Sequence, residues 1–320
     1  MGSLFSFLQA IASPIIGTLS DKYGRRTALL WSMAGNVLSV ALWVAATDFR
    51  TFLASRIVGG LSEGNVQLAM AIATDISDDT QRGATMALVG VCFSIAFTFG
   101  PALGAYLSTI TSFAANPFAS AAAFSLALIV TETVYLYFCL PETLPVIMSK
   151  EKAITNGTIA NGNTTEEKKP LVRTNSHTIL NATHFFFILF FSGMEFSLPF
   201  MTYDLFSYTS SSTGKLLGFI GLVASILQGS VVRRSHPLTV VKMGVIACTI
   251  AFFMLGRVNT ERGLYAAAAL LAVTSATVVT GLNSLSSFEA GVGERGGKLG
   301  NHRSFGKSTR AYYYVICDTQ

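Results

Sequence analysis

Residues 17–29 read GTLSDKYGRRTAL. The stretch places a glycine turn, one acid and three bases between two long apolar segments, and the rest of the chain is organised around it. Asp21 and Arg25 stand four apart, Gly24 lets the backbone turn tightly without a Cβ, and Arg26 follows just before the next apolar run. A loop of this kind latches two helices at one membrane face. The plainer alternative is a solvated, positively charged turn that only fixes topology.

Composition points the same way. With 320 residues, 51% of them hydrophobic and 12% charged, the chain has too little polar surface for a soluble globule. The net charge of +5 lies in short loops between apolar runs and forms no aromatic-interleaved patch, which argues against a nucleic-acid partner. Cys92, Cys139, Cys248 and Cys317 are far apart, with no C-x-x-C pair, and suggest neither a metal site nor a disulfide framework. No basic segment precedes the first apolar stretch, so a cleaved signal peptide is not expected and the first helix serves as the insertion signal.

A spanning helix needs roughly 20 apolar residues. Nine runs qualify: 2–19, 27–46, 52–73, 84–107, 118–140, 183–205, 214–232, 239–256 and 263–285. The expected fold is therefore an all-α polytopic membrane protein of about nine transmembrane helices. Alternate loops carry most of the Lys and Arg, including Lys22, Arg82, Lys150, Arg233 and Arg295, which puts them in the cytosol and the N-terminus on the outer or lumenal side. The predicted units are an N-terminal bundle over 1–140, a cytosolic linker over 141–181, a C-terminal bundle over 182–290 and a divergent tail over 291–320. The linker is rich in Asn, Thr, Lys and Glu. Its N-x-[ST] sequences at Asn156 and Asn163, and the one at Asn181, are read as fortuitous because basic-residue topology places them in the cytosol.

The quoted loop resembles the signature between helices 2 and 3 of the major facilitator superfamily, G-x-L-[AS]-D-[RK]-x-G-R-[RK]-x-x-L, matched here by Gly17, Leu19, Ser20, Asp21, Lys22, Gly24, Arg25, Arg26 and Leu29. ASRIVGGLSEGN, FTFGPALGAYL, CLPETLP and FFSGMEF extend the similarity to the tetracycline-transporter-like branch. The resemblance implies a two-bundle fold with alternating access. Its function would be secondary transport of small organic solutes, organic anions or drug-like amphiphiles, by proton-coupled antiport or efflux. With the signature aligned, the first run becomes helix 2 and the last helix 10, so the resemblance implies a chain lacking helix 1 and helices 11 and 12. The competing reading is a truncated, non-transporting isoform or a regulatory fragment of such a transporter.

Ionisable groups inside apolar runs are costly in hydrocarbon and are therefore functional candidates. Arg56 and Glu63 lie seven apart on one face of the third run. By resemblance, Arg56 with Gly60 matches a helix 4 element of drug:proton antiporters; otherwise Arg56 snorkels to the interface. Asp75 and Arg82 resemble the acid and base that face the loop signature, giving a conformational lock of Gly17, Asp21, Gly24, Arg25, Arg26, Asp75 and Arg82. Gly100, Pro101 and Gly104 resemble the helix 5 antiporter motif, or form a generic small-residue interface. Glu132, Glu195 and Gln228 complete the proton or solute path, with Glu195 favoured because it stands between Gly193 and Pro199; a structural hydrogen bond across helices is its alternative. His184 reads as interfacial. The sequence offers no phosphate loop, catalytic triad or metal pattern, so neither an enzyme nor a cofactor is expected. The expected partners are the lipid bilayer and a small organic substrate with protons, with no obligate protein partner. The expected location is the plasma membrane or an endomembrane such as the nuclear envelope.

Overall fold

The computed structural model describes residues 2–78, 81–108, 119–144, 177–291 and 293–318. Most of the linker, with Asn156 and Asn163, lies outside them. The elements are α1 (Gly2–Tyr23), α2 (Arg25–Val44), α3 (Phe49–Ser62), α4 (Asn65–Asp75), α5 (Arg82–Ser108), α6 (Ala119–Cys139), α7 (His177–Phe206), α8 (Ser210–Ser230), α9 (Pro237–Leu255), α10 (Glu261–Glu289) and α11 (Arg295–Asp318). Eight helices among the described residues are long and apolar enough to cross a membrane. Large apolar side chains such as Trp31, Phe138 and Phe200 point outward, which lipid tolerates and water does not.

Local chemistry sets the breaks. Gly24 separates α1 from α2 with φ 104°, a backbone region open to glycine and costly for other residues. The run 52–73, which the sequence presents as one span, divides into α3 and α4 at Glu63 and Gly64. A serine from α2 mends the break: Ser32 Oγ accepts the Gly64 amide at 2.9 Å and donates to the Ser62 carbonyl. Asn36 Nδ2 donates to Asn65 Oδ1 at 2.8 Å just beyond it. At the other turns α10 starts on Thr260, whose hydroxyl accepts from the Gly263 amide, and α9 starts with Pro237 in its first turn.

Two clusters hold the bundles. Leu29 and Met33 of α2 pack on Leu68 and Ile72 of α4, with α1 and α6 closing the sides. In the second half, Leu198, Leu216, Ile220, Ala251, Leu255 and Leu271 join α7, α8, α9 and α10. The halves meet along two seams, α1 with α11 and α5 with α8.

The tail differs from expectation. Residues 295–318 form α11, packed on α1, α7 and α4. Its composition is too polar for a hydropathy scan to register, and it is held by small-residue contact. A Cβ at Gly17 or Gly296 would strike the other's backbone carbonyl, and one at Gly300 would strike the Ser13 carbonyl. The second half also starts earlier than expected, because α7 begins at His177, inside the expected linker.

Candidate functional site: an ion-pair network beneath a central cavity

The network lies where α1, α2, α4 and α11 converge. Arg25 opens α2 with its side chain fully buried. Its Nε donates to Asp75 Oδ2 at 2.8 Å, and its Nη1 reaches Asp21 Oδ1 and Ser20 Oγ, both at 2.6 Å. Arg295, in the first turn of α11, donates from Nη1 to Asp75 Oδ1 at 2.9 Å and to the Thr74 carbonyl at 3.2 Å. Asp21 accepts the second and third amides of α11, Gly296 N at 2.9 Å and Gly297 N at 2.7 Å. Two acids and two bases thus balance, and Asp21 also meets the positive end of the α11 dipole.

A buried network of this kind costs more to mutate than to open. Burying an ion pair roughly breaks even against desolvation, whereas removing one partner strands a charge at a cost of about 3–5 kcal/mol. If α11 moves away, Asp21 and Arg295 gain water in exchange for their partners, so separation is inexpensive compared with mutation.

Glu142, just after α6, completes the same end. Its Oε1 accepts the Arg25 amide at 2.8 Å and its Oε2 the Arg26 amide at 3.2 Å, so a carboxylate caps α2. Arg26 donates to the Tyr137 carbonyl at 2.7 Å, tying α2 to α6 and leaving it outside the Asp75 cluster. Arg82 is placed differently from expectation: its guanidinium stacks over Phe288 of α10 at 4.8 Å. Among the expected lock residues, Gly17, Asp21, Gly24, Arg25 and Asp75 come together. Glu142, Ser20, Arg295 and Gly296 are the members the sequence reading left out. The glycines at 296, 297 and 300, following Arg295, were the available signal.

Next to this network, between the halves, lies a cavity of about 490 Å³. Its walls are largely apolar, with Met70, Phe93, Phe97, Phe191 and Met194 among them. The polar groups that reach it include Glu63, Glu195, Gln228, Arg303 and Lys307. Glu63 sits at the α3–α4 break, accepts from Gln9 Nε2 and pairs with Arg303 Nη2 at 3.5 Å. Gln228 is buried and joins three helices: it accepts from Ser94 Oγ at 2.8 Å and donates to the Ala276 carbonyl at 3.3 Å. Glu195 lines the cavity from α7.

Three expectations change. Arg56 does not reach the cavity, because the rings of Trp43, Phe52 and Phe5 surround its guanidinium at 4.9, 5.3 and 5.5 Å. Glu132 is exposed on the outer side of α6 and is absent from the cavity wall. His184 is buried, not interfacial, and its ring lies 4.1 Å from that of His302 in α11. Among the described residues nothing lies within 4 Å of a Cβ placed on Gly100 or Gly104, while Gly90 makes the tight approach, against Gln228. The Pro101 side chain is outside the described residues. Among the described residues no His, Cys, Asp and Glu cluster could hold a metal ion.

The chain is similar to "Major facilitator superfamily domain-containing protein 10" from Bos taurus, 34% identical over 99% of this chain and 71% of that protein. The Homo sapiens counterpart is 32% identical over 97% and 70%. A tetracycline resistance protein, class C, from Escherichia coli is 32% identical over 38% of this chain and 30% of its own length. The crystal structure of the human organic anion transporter MFSD10 (TETRAN) matches with a TM-score of 0.84 and 31% identity, over 98% of this chain and 76% of that one. The proton:xylose symporter XylE shares the fold, with a TM-score of 0.74 at 13% identity over 99% and 78% of the two chains. The family model for the Major Facilitator Superfamily matches residues 1–305. A polytopic helical chain with two seams, a cavity between its halves and the loop signature at one end thus belongs to the Major Facilitator Superfamily.

Proposed function

We propose that the protein carries small organic anions, or drug-like amphiphiles bearing a negative charge, across a membrane by alternating access. The observation that carries this reading is the cavity of about 490 Å³ between the halves, apolar on most sides, with Arg303 and Lys307 among its charged walls. Similarity to an organic anion transporter supports the choice of cargo.

In this cycle the Asp21, Arg25, Asp75 and Arg295 network holds one end shut, and its release lets the α1–α11 seam part. Transport is proton-coupled antiport, with Glu195 as the carboxylate that loads and releases the counter-moving proton from α7. Gly100, Pro101 and Gly104 on α5 support the antiport form by resemblance. The basic loops face the cytosol, in the plasma membrane or an endomembrane such as the nuclear envelope.

The test is uptake of radiolabelled phenylbutyrate into vesicles containing the full chain, with a pH gradient imposed. Saturable uptake that reverses when the gradient is reversed supports the proposal. Uptake equal to that of empty vesicles contradicts it.

A further inference from the structure

The cavity carries a second acid–base pair whose position bears on how an anion is held. Arg303 and Lys307 stand four apart on α11 and so share one helical face, and both line the cavity. Opposite them Glu63 enters from the α3–α4 break, where the helix interruption lets its carboxylate reach the cavity. The pair is loose: Arg303 Nη2 stands 3.5 Å from Glu63 Oε1, with the side chains 19% and 25% exposed. By contrast, Arg25 holds Asp75 at 2.8 Å with both side chains fully buried. One pair is sealed from solvent and the other faces the space a solute would occupy.

Resting on the transport reading above, we propose that Arg303 and Lys307 form the anion subsite of the cavity and that Glu63 is an internal stand-in for the substrate carboxylate. In the empty protein Glu63 supplies a counter-charge beside Arg303. An incoming carboxylate replaces it on Arg303, while Lys307, one turn on, holds the anion's second oxygen as a flexible point charge. Gln9 Nε2 already donates to the other oxygen of Glu63, so the displaced side chain keeps a partner. The apolar body of the solute then lies against Phe93, Phe97 and Phe191.

Gln9 from α1 and Arg303 from α11 contact the Glu63 carboxylate, and Lys307 of α11 with His184 and Glu195 of α7 line the same cavity.

The full chain in lipid nanodiscs is titrated with phenylbutyrate, phenylbutylamine and phenylbutyramide, which share an apolar body and differ in charge. The expected order is carboxylate tightest and amine weakest. Glu63→Gln tightens phenylbutyrate about two- to fivefold, the scale of one partly exposed charge pair. Arg303→Gln weakens phenylbutyrate roughly tenfold or more, and Lys307→Gln, which removes a point charge and not a forked donor, weakens it less. Weaker phenylbutyrate binding by a folded Glu63→Gln protein overturns the stand-in role, and preference for the amine overturns the anion subsite. If phenylbutyrate is carried but neither Glu63→Gln nor Arg303→Gln changes its affinity, the subsite falls and transport stands. If it is bound with these responses but never carried, transport falls and the subsite stands. No binding at all by the unmodified protein removes both.

Discussion

Asp21 of α1 accepts the amide of Gly296, the second residue of α11, at 2.9 Å, across 275 positions of sequence. That contact needs the two helices almost touching, and the small residues around it allow this: Gly17 faces Gly296 with no room for a Cβ on either. Gly17→Val should therefore force α1 and α11 apart and break the Asp21 cap together with the crossing. The expected loss is about 1–3 kcal/mol of stability, the scale of overpacking a tight contact. Thermal denaturation in lipid nanodiscs checks it, with Gly104→Val as the control, since among the described residues nothing lies within 4 Å of a Cβ placed there. Equal loss in both would show that the crossing is not special.

Glu142 offers a test of the same end that leaves the α1–α11 seam alone. Its carboxylate accepts the first two amides of α2, Arg25 and Arg26. Glu142→Ala should cost about 1 kcal/mol, as loss of a helix cap does, and should loosen α6 from α2. Hydrogen exchange at the α2 N-terminus is the readout. Unchanged protection there would mean that the cap is idle.

Glu195→Gln isolates the proton. The side chain lines the cavity from α7, and the amide keeps its shape without the charge. Exchange of phenylbutyrate against a pH gradient should be lost while its equilibrium binding is kept. A variant that still responds fully to the gradient would assign the proton to another group.

The linker tests orientation. The stretch Lys150–His177 carries Lys150, Lys152, Lys168, Lys169 and Arg173, and the proposed topology puts it in the cytosol. Protease added to the outside of sealed cells should leave it intact. Cleavage, or sugar on Asn156 or Asn163, would reverse the whole arrangement.

Much of the fold was legible because bilayer helices announce themselves by length and apolarity, and because GTLSDKYGRR places acid, bases and glycines at fixed offsets. What was hidden has physical reasons. The α3–α4 break depends on Ser32, which lies on another helix, so the run 52–73 looks continuous in one dimension. Helix α11 has the composition of a solvated segment, and only its partners, Gly17 and Asp21, make a packed helix of it. Arg56 and Glu132 sit inside apolar runs yet miss the cavity, since hydropathy reports depth and not which way a face points. Arg303 and Lys307 were overlooked for the converse reason: a polar helix does not mark its charges as unusual.

The measurement closest to the central claim compares phenylbutyrate binding and exchange for Asp21→Asn in the same vesicles. The variant keeps the shape of the side chain but removes the charge facing Arg25 and the second and third amides of α11. If the network is a latch between conformations, equilibrium binding stays close to that of the unmodified protein. Exchange per bound solute falls, by a factor on the scale of about 5 to 150 that a change of 1–3 kcal/mol in a two-state balance produces. Loss of binding with normal exchange per bound solute would contradict the account, because Asp21 would then belong to the solute's site and not to the latch beneath it.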